Sequence, residues 1–199
     1  MPTLTFAETK STCEIAYDGE ENESYRFPDQ STWTVTQTVS NWLSGFKAAV
    51  LTGNGKTVLS FAGTDSLVDV AADIAQVIGQ MPAQYREALL LTGQVRSRAS
   101  DLILTGHSLG GGLAAYCSVI TRLRAYTVNP APLIGAATMS ALIGDNSQIT
   151  NFVAQGGEFV SSSPGRNPGI DVEIPSSGNL FSKHSLSNVD PSVPLPTRI

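Results

Sequence analysis

Positive charge is in short supply. Twelve Lys and Arg against 17 Asp and Glu leave a formal net charge of -5, and no basic stripe runs along the chain. That excludes a general nucleic-acid binder, because neutralising backbone phosphates takes a concentrated Lys/Arg surface. Cysteine is nearly absent. Cys13 and Cys117 are too few for a disulfide framework and show no metal-ligand spacing. Cys117 falls inside a predicted helix and reads as a buried structural thiol, while Cys13 stays open. No apolar run approaches the roughly 20 residues needed to cross a bilayer. The opening stretch Met1 to Glu8 lacks the basic and apolar regions of a signal peptide, so the chain reads as soluble. Histidine is scarcer than most chemistry requires: His107 and His184 are the whole supply.

What is present is a motif in context. Gly106-His107-Ser108-Leu109-Gly110-Gly111 lies between the apolar run Leu102 to Thr105 and an Ala-rich stretch from Leu113 to Ile120. Strand, Gly-x-Ser-x-Gly turn and helix make a nucleophile elbow, which strains the serine and presents its hydroxyl at the carboxyl end of the strand. The helix N-terminus there favours developing negative charge. Small residues are required around it, since strand and helix must approach closely at Gly106 and Gly110.

The rest of the chain alternates. Phe46 to Leu51 and Thr57 to Phe61 read as a strand pair joined through Asn54-Gly55. Leu67, Val70, Ala71, Ile74, Val77 and Ile78 recur at helical spacing until Gly79 and Pro82, and a second helix follows from Pro82 to Ala99. After the strand at 101–105 and the elbow helix to Leu123 come strands at Ala125 to Val128, Ile149 to Ala154 and Ile170 to Ile174. A short helix from Ala136 to Ile143 intervenes. This order predicts one domain over 1–199 with a mostly parallel central sheet flanked by helices, whose ligands bind beyond the carboxyl ends of the strands. The first 40 or so residues carry no assigned element. The acidic stretch Asp18 to Glu23 reads as a solvated loop, and the Pro-rich tail after Asp190 as irregular or extended.

A nucleophilic Ser108 needs a base. His107 leaves the backbone on the other side of the serine and cannot reach its hydroxyl, so it reads as a structural residue beneath the elbow. That leaves His184, in a loop after the last strand. The order serine, acid, histidine confines the third member to Asp145, Glu158, Asp171 and Glu173. Asp145 sits in a helix-end turn, and Asp171 and Glu173 alternate on a half-buried strand. Glu158 follows the carboxyl end of the strand Ile149 to Ala154. It ranks first and Asp171 second. Oxyanion donors are expected from the Leu109 N–H and from Thr64, in the loop after Phe61. Ser66 and Asp69 resemble a capping box and read as structural.

Together these pieces resemble the class 3 lipases and their bacterial relatives. Ser44 to Val50 is similar to the family's entry strand and Val58 to Thr64 to its oxyanion motif. Thr127 to Ala131 is similar to the loop after the elbow helix, and His184-Ser185-Leu186 lies where the family carries its base. Ala62 stands where the family usually has arginine, and Glu158 where it usually has aspartate. The resemblance implies an α/β-hydrolase fold without a large lid domain. It also implies lipid-ester hydrolysis through an acyl-enzyme on Ser108, with no metal or cofactor. Phospholipids reached from a membrane surface are the first substrate class. Small bacterial relatives include secreted toxin domains delivered into rival cells and neutralised by an immunity protein. Two other readings use the same scaffold: a thioesterase or peptidase, and a non-catalytic binding protein.

Overall fold

The computed structural model describes residues 3–63, 83–133, 146–161 and 164–199. The helix expected from Leu67 to Ile78, the capping pair Ser66 and Asp69, the helix from Ala136 to Ile143, Asp145 and the oxyanion candidate Thr64 lie outside them. Among the described residues nine strands form one sheet in the order β8-β7-β6-β5-β4-β3-β2-β1-β9. They are β1 (Ser24–Arg26), β2 (Thr32–Asn41), β3 (Phe46–Gly53), β4 (Lys56–Phe61), β5 (Leu102–His107), β6 (Ala125–Val128), β7 (Ile149–Ala154), β8 (Ile170–Ile174) and β9 (Thr197–Arg198). β4 to β8 run parallel, each beside the next, while β1 to β3 and β9 pair antiparallel. Three α-helices are described, α1 (Phe6–Asp18), α2 over 83–96, and α3 (Leu109–Thr121), with single 3-10 turns at Ser182–His184 and Leu186–Asn188.

Two-residue alternation sends neighbouring side chains of each strand into opposite layers. Ala48 and Val50 of β3 join Leu59, Phe61 and Leu104 under α2 and α3, whose Tyr85, Ala88, Leu91, Leu113 and Ala114 face them. Ala49 and Leu51 point the other way, with Val58 and Ile103, to meet Cys13 and Ile15 of α1. The β3–β4 link is a two-residue turn in which Asn54 and Gly55 both take positive φ (50° and 71°). This is the geometry that matches the twist of a hairpin.

The N-terminal 40 residues belong to the same sheet and core. α1 begins with a capping box in which Thr5 Oγ1 accepts from the Glu8 N–H and the Glu8 carboxylate accepts from the Thr5 N–H. Beside Cys13 and Ile15, several of its inward side chains are polar, and Glu8, Thr9, Lys10 and Thr12 are bonded. The Glu8 carboxylate accepts from Lys56 Nζ (2.6 Å) and Asn54 Nδ2 (3.3 Å), and Thr12 Oγ1 donates to Thr105 Oγ1 (3.1 Å). The buried Lys10 ammonium donates to the carbonyls of Val189 (2.8 Å), Asp190 (3.0 Å) and Val193 (2.7 Å). That uses all three of its protons and ties α1 to the segment after His184. No helix among the described residues is long and apolar enough to cross a membrane.

Candidate active site

β5 is buried along its whole length and delivers Ser108 to the carboxyl edge of the parallel strands. There the backbone takes φ 57° and ψ -127°, a sparsely populated region for a residue with a Cβ. Neighbours over-determine it: the Ser108 N–H donates to the Val128 carbonyl (3.2 Å), and the Ser108 carbonyl accepts from Gly112 (3.2 Å) and Ala131 (2.8 Å). The turn also needs the small residues expected. A Cβ on Gly106 would overlap the Gly110 carbonyl, and one on Gly110 the Phe61 carbonyl. Ser108 is the N-cap residue of α3, yet its hydroxyl makes no capping bond. Leu109 opens that helix, so its N–H has no acceptor within it. Gly63 abuts the elbow, because a Cβ there would stand 3.0 Å from Ser108 Cβ.

Glu158 and His184 meet. Gly156 and Gly157 both take positive φ after β7 (75° and 79°), turning the chain so that Glu158 is fully buried. The His184 Nδ1–H donates to Glu158 Oε2 at 2.7 Å, and the carboxylate also accepts from the N–H groups of Val160 (2.7 Å) and Ser161 (2.5 Å). Burial alone would push the carboxyl pKa up. The bonds from His184 and Ser161 outweigh it, and the net direction is down, so the group is held as a carboxylate. Because a carboxylate only accepts, the Nδ1 proton is fixed and Nε2 of neutral His184 carries the free lone pair. Nε2 is buried, and no hydrogen-bond partner for it is found among the described residues.

His107 is arranged differently. Its Nε2–H donates to the His184 carbonyl (2.7 Å), and its Nδ1 accepts from the Tyr17 hydroxyl of α1 (2.8 Å). Burial, reinforced by the neighbouring His184, pushes its pKa down to about 3, so the ring is neutral and its tautomer set. Asn129, at φ 42° after β6, completes the support. Its Nδ2 donates to the carbonyls of Lys183 (3.1 Å) and His184 (3.4 Å), while its Oδ1 accepts from the Ala154 N–H (2.9 Å). Sequence reasoning missed Tyr17 and the bracing role of Asn129. For Asn129 the available signal was Asn-Pro directly after a strand.

The remaining candidates lie elsewhere. Asp171 is on the exposed edge strand β8 and accepts from Asn151 Nδ2 (2.9 Å) in mid-strand, away from the imidazole. Glu173 is exposed on the same strand. Cys13 and Cys117 are free and buried; burial pushes both thiols up, Cys117 to about 12, so neither supplies a thiolate at neutral pH. Among the described residues no group of His, Cys, Asp and Glu side chains is placed to hold a metal ion.

Residues 16–156 match the phospholipase-like family described as the Tle-like phospholipase domain. The chain belongs to that family. It is also 37% identical over 89 residues to an extracellular phospholipase A1 from Serratia liquefaciens, a stretch covering 44% of this chain and 28% of that protein. The matched part is thus little more than a quarter of the relative's length. Among solved structures, a lipase from Rhizopus microsporus var. chinensis superposes with a TM-score of 0.61 at 18% identity, over 86% of this chain and 72% of that one. A triacylglycerol lipase from Penicillium expansum gives 0.57 at 17% identity, over 87% and 79%. At such identities the likeness concerns the fold. The fold of this Tle-like phospholipase domain is the α/β-hydrolase arrangement of the class 3 lipases, as the motifs implied.

Proposed function

We propose that this chain acts as one α/β-hydrolase domain that cleaves carboxylic ester bonds of phospholipids through an acyl-enzyme on Ser108. The observation that carries the reading is the His184 ring. Its Nδ1 is committed to the Glu158 carboxylate, its buried Nε2 has no partner among the described residues, and its ring lies 4.7 Å between centroids from that of His107, the residue before the strained Ser108. A protein that only binds ligands has no use for an orphaned ring nitrogen in its interior.

In the proposed mechanism His184 Nε2 takes the Ser108 hydroxyl proton as the oxygen attacks the ester carbonyl. Glu158 stabilises the imidazolium that forms. The Leu109 N–H at the start of α3, with Thr64, holds the oxyanion. The tetrahedral intermediate collapses as His184 gives the proton to the leaving alcohol oxygen. Water then enters, loses a proton to His184 and releases the fatty acid from Ser108. The phospholipid substrate class is supported by the family's description and by the relative's name. That relative is extracellular, which supports action outside the producing cell. Delivery into a target cell and neutralisation by an immunity protein rest on the resemblance to bacterial toxin domains.

The test is chemical. A fluorophosphonate probe should label the protein at Ser108, and Ser108→Ala should abolish labelling together with fatty-acid release from a phospholipid and triacylglycerol mixture followed by mass spectrometry. Labelling that persists in Ser108→Ala would remove the serine from the mechanism. Release from triacylglycerol alone would overturn the substrate class.

A further inference from the structure

The register of the sheet locates two exposed apolar pairs. Asn41 lies opposite Phe46 at the β2–β3 hairpin, and Ala48 lies opposite Phe61, the last residue of β4. Phe61 in turn lies beside Gly106, just before the elbow. The hairpin tip therefore stands at the same edge of the sheet as Ser108. That tip carries Trp42, 88% exposed, and Leu43, 69% exposed. The second pair is Leu180 and Phe181, 50% and 60% exposed, directly ahead of the turn Ser182–His184. They follow β8, whose last residue lies beside the last residue of β7, so they stand at that edge too. The opposite edge carries polar turns and strand entries, Asn54-Gly55-Lys56, Asp101, Arg124 and Gln148, with the exposed Ile170 at the entry of β8 standing by itself as an apolar residue.

Both pairs are held outward by structure beneath them. Under the tip, Glu87 of α2 accepts from Asn41 Nδ2 and from Ser44 Oγ, both at 2.8 Å. Gln84 Nε2 donates to the Ser44 carbonyl (2.5 Å), and the Leu43 N–H donates to Asn41 Oδ1 (3.0 Å). Ser44 and Gln84 are buried, and Phe46 is anchored in the core. A polar clamp thus fixes the hairpin while its two apolar side chains point to solvent. Phe181 rests on the ring of Phe159, 5.1 Å between centroids, next to the Glu158 that holds His184. Rigidly presented tryptophan, leucine and phenylalanine around a site mouth suit the boundary between headgroups and acyl chains, where aromatic rings partition well.

We infer that Trp42 and Leu43, with Leu180 and Phe181, seat this protein on a phospholipid bilayer with the Ser108 edge facing the lipid. The inference rests on the proposed phospholipase reading and names the surface it works from. With a net charge of -5, attachment comes from apolar insertion, so zwitterionic vesicles suffice and about 0.5 M NaCl does not release the protein.

The chain contains its own probe. Of its two tryptophans, Trp33 is fully buried and Trp42 is exposed, so a change in emission on lipid addition reports Trp42. With Ser108→Ala protein, which leaves lipids intact, phosphatidylcholine vesicles should shift the emission to the blue. In co-sedimentation Trp42→Ala and Leu43→Ser should each weaken vesicle binding by about tenfold, the worth of one partly inserted apolar side chain. Both should hydrolyse a soluble short-chain ester at the wild-type rate to within about twofold, in line with exposed substitutions. Vesicle hydrolysis by the wild type with no change in Trp42 emission would overturn the inference. So would a blue shift on raising the protein concentration without lipid, which would mean that a second copy covers the pair. Loss of hydrolysis of the soluble ester in the wild type would count against the catalytic reading instead, and vesicle binding would still be read independently.

Discussion

The end of β5 and the loop after β8 each contribute one histidine, and the two rings sit 4.7 Å apart between centroids. Below the elbow, His107 has both nitrogens occupied, by the His184 carbonyl and by the Tyr17 hydroxyl. Above it, His184 has one nitrogen on Glu158 and the other without a described partner. The same side chain is thereby made into a brace in one place and a proton acceptor in waiting in the other. What differs is the number of bonds that the surrounding backbone and carboxylate leave unfilled. A histidine satisfied twice in a buried site has no lone pair to lend, and burial keeps it from becoming a cation.

The largest effect that could break this contrast comes from exchanging the two roles by mutation. His184→Ala should lower kcat by about a millionfold, leaving the residual rate that binding and oxyanion donors supply. His107→Gln keeps an N–H donor for the His184 carbonyl and an oxygen towards Tyr17, and should stay within about tenfold of wild type, with the loss in kcat rather than KM. Steady-state kinetics on a soluble ester checks both, and the reverse pattern would exchange the assignments. Next in size, Glu158→Gln should cost about a thousandfold in kcat, because the amide no longer stabilises the imidazolium or fixes its tautomer. Asp171→Asn should remain within about tenfold, since it alters an exposed strand. If Asp171→Asn proved the more damaging in the same assay, the acid would have to be reassigned.

The smallest effect is thermodynamic and belongs to His107 alone. Its folded pKa is pushed down to about 3, below the roughly 6.5 of a free imidazole. Between those values the unfolded chain binds a proton that the folded protein refuses. Stability therefore rises with pH across this window; the full contribution is present above about pH 6.5 and is lost progressively as pH falls towards 3. His107→Gln should remove one proton's worth of this slope, about 1.4 kcal/mol per pH unit. Urea unfolding at pH values between about 5 and 6.5 measures it, and an unchanged slope would show that the ring is not buried neutral.

The strands that carry the elbow were legible because apolar runs and turn residues punctuate them. Asn54-Gly55 marked the hairpin, and Ile149 to Ala154 and Ile170 to Ile174 matched β7 and β8 to the residue. α1 was not legible. Its buried residues are Glu8, Thr9, Lys10, Ser11 and Thr12 beside Cys13, Ile15 and Ala16, a mostly polar set in which helical periodicity of hydrophobic residues gave little to read. The Thr5-x-x-Glu8 capping box was the one local trace. In β2, Trp33 and Val35 alternate with threonines, a weaker form of the two-residue pattern. At the site, position after a strand's carboxyl end brought Glu158 forward, yet its contact with His184 spans 26 residues and the bond from Tyr17 to His107 spans 90. Distances of that kind belong to the tertiary fold and leave no mark on spacing.

The Lys10 clasp bears on how the protein comes into being. Its three carbonyl partners lie 179, 180 and 183 residues further along the chain. During synthesis α1 leaves the ribosome long before those partners exist, and its ammonium must stay hydrated until residues 189–193 arrive. Contacts of such long range close late, after the locally wired strands and hairpins. Once Ser108 has been made, a nascent chain therefore carries its serine while the helix that braces the far side of the elbow is still undocked. The bond from Tyr17 of that helix to His107 thus waits on carbonyls made about 80 residues after the elbow itself.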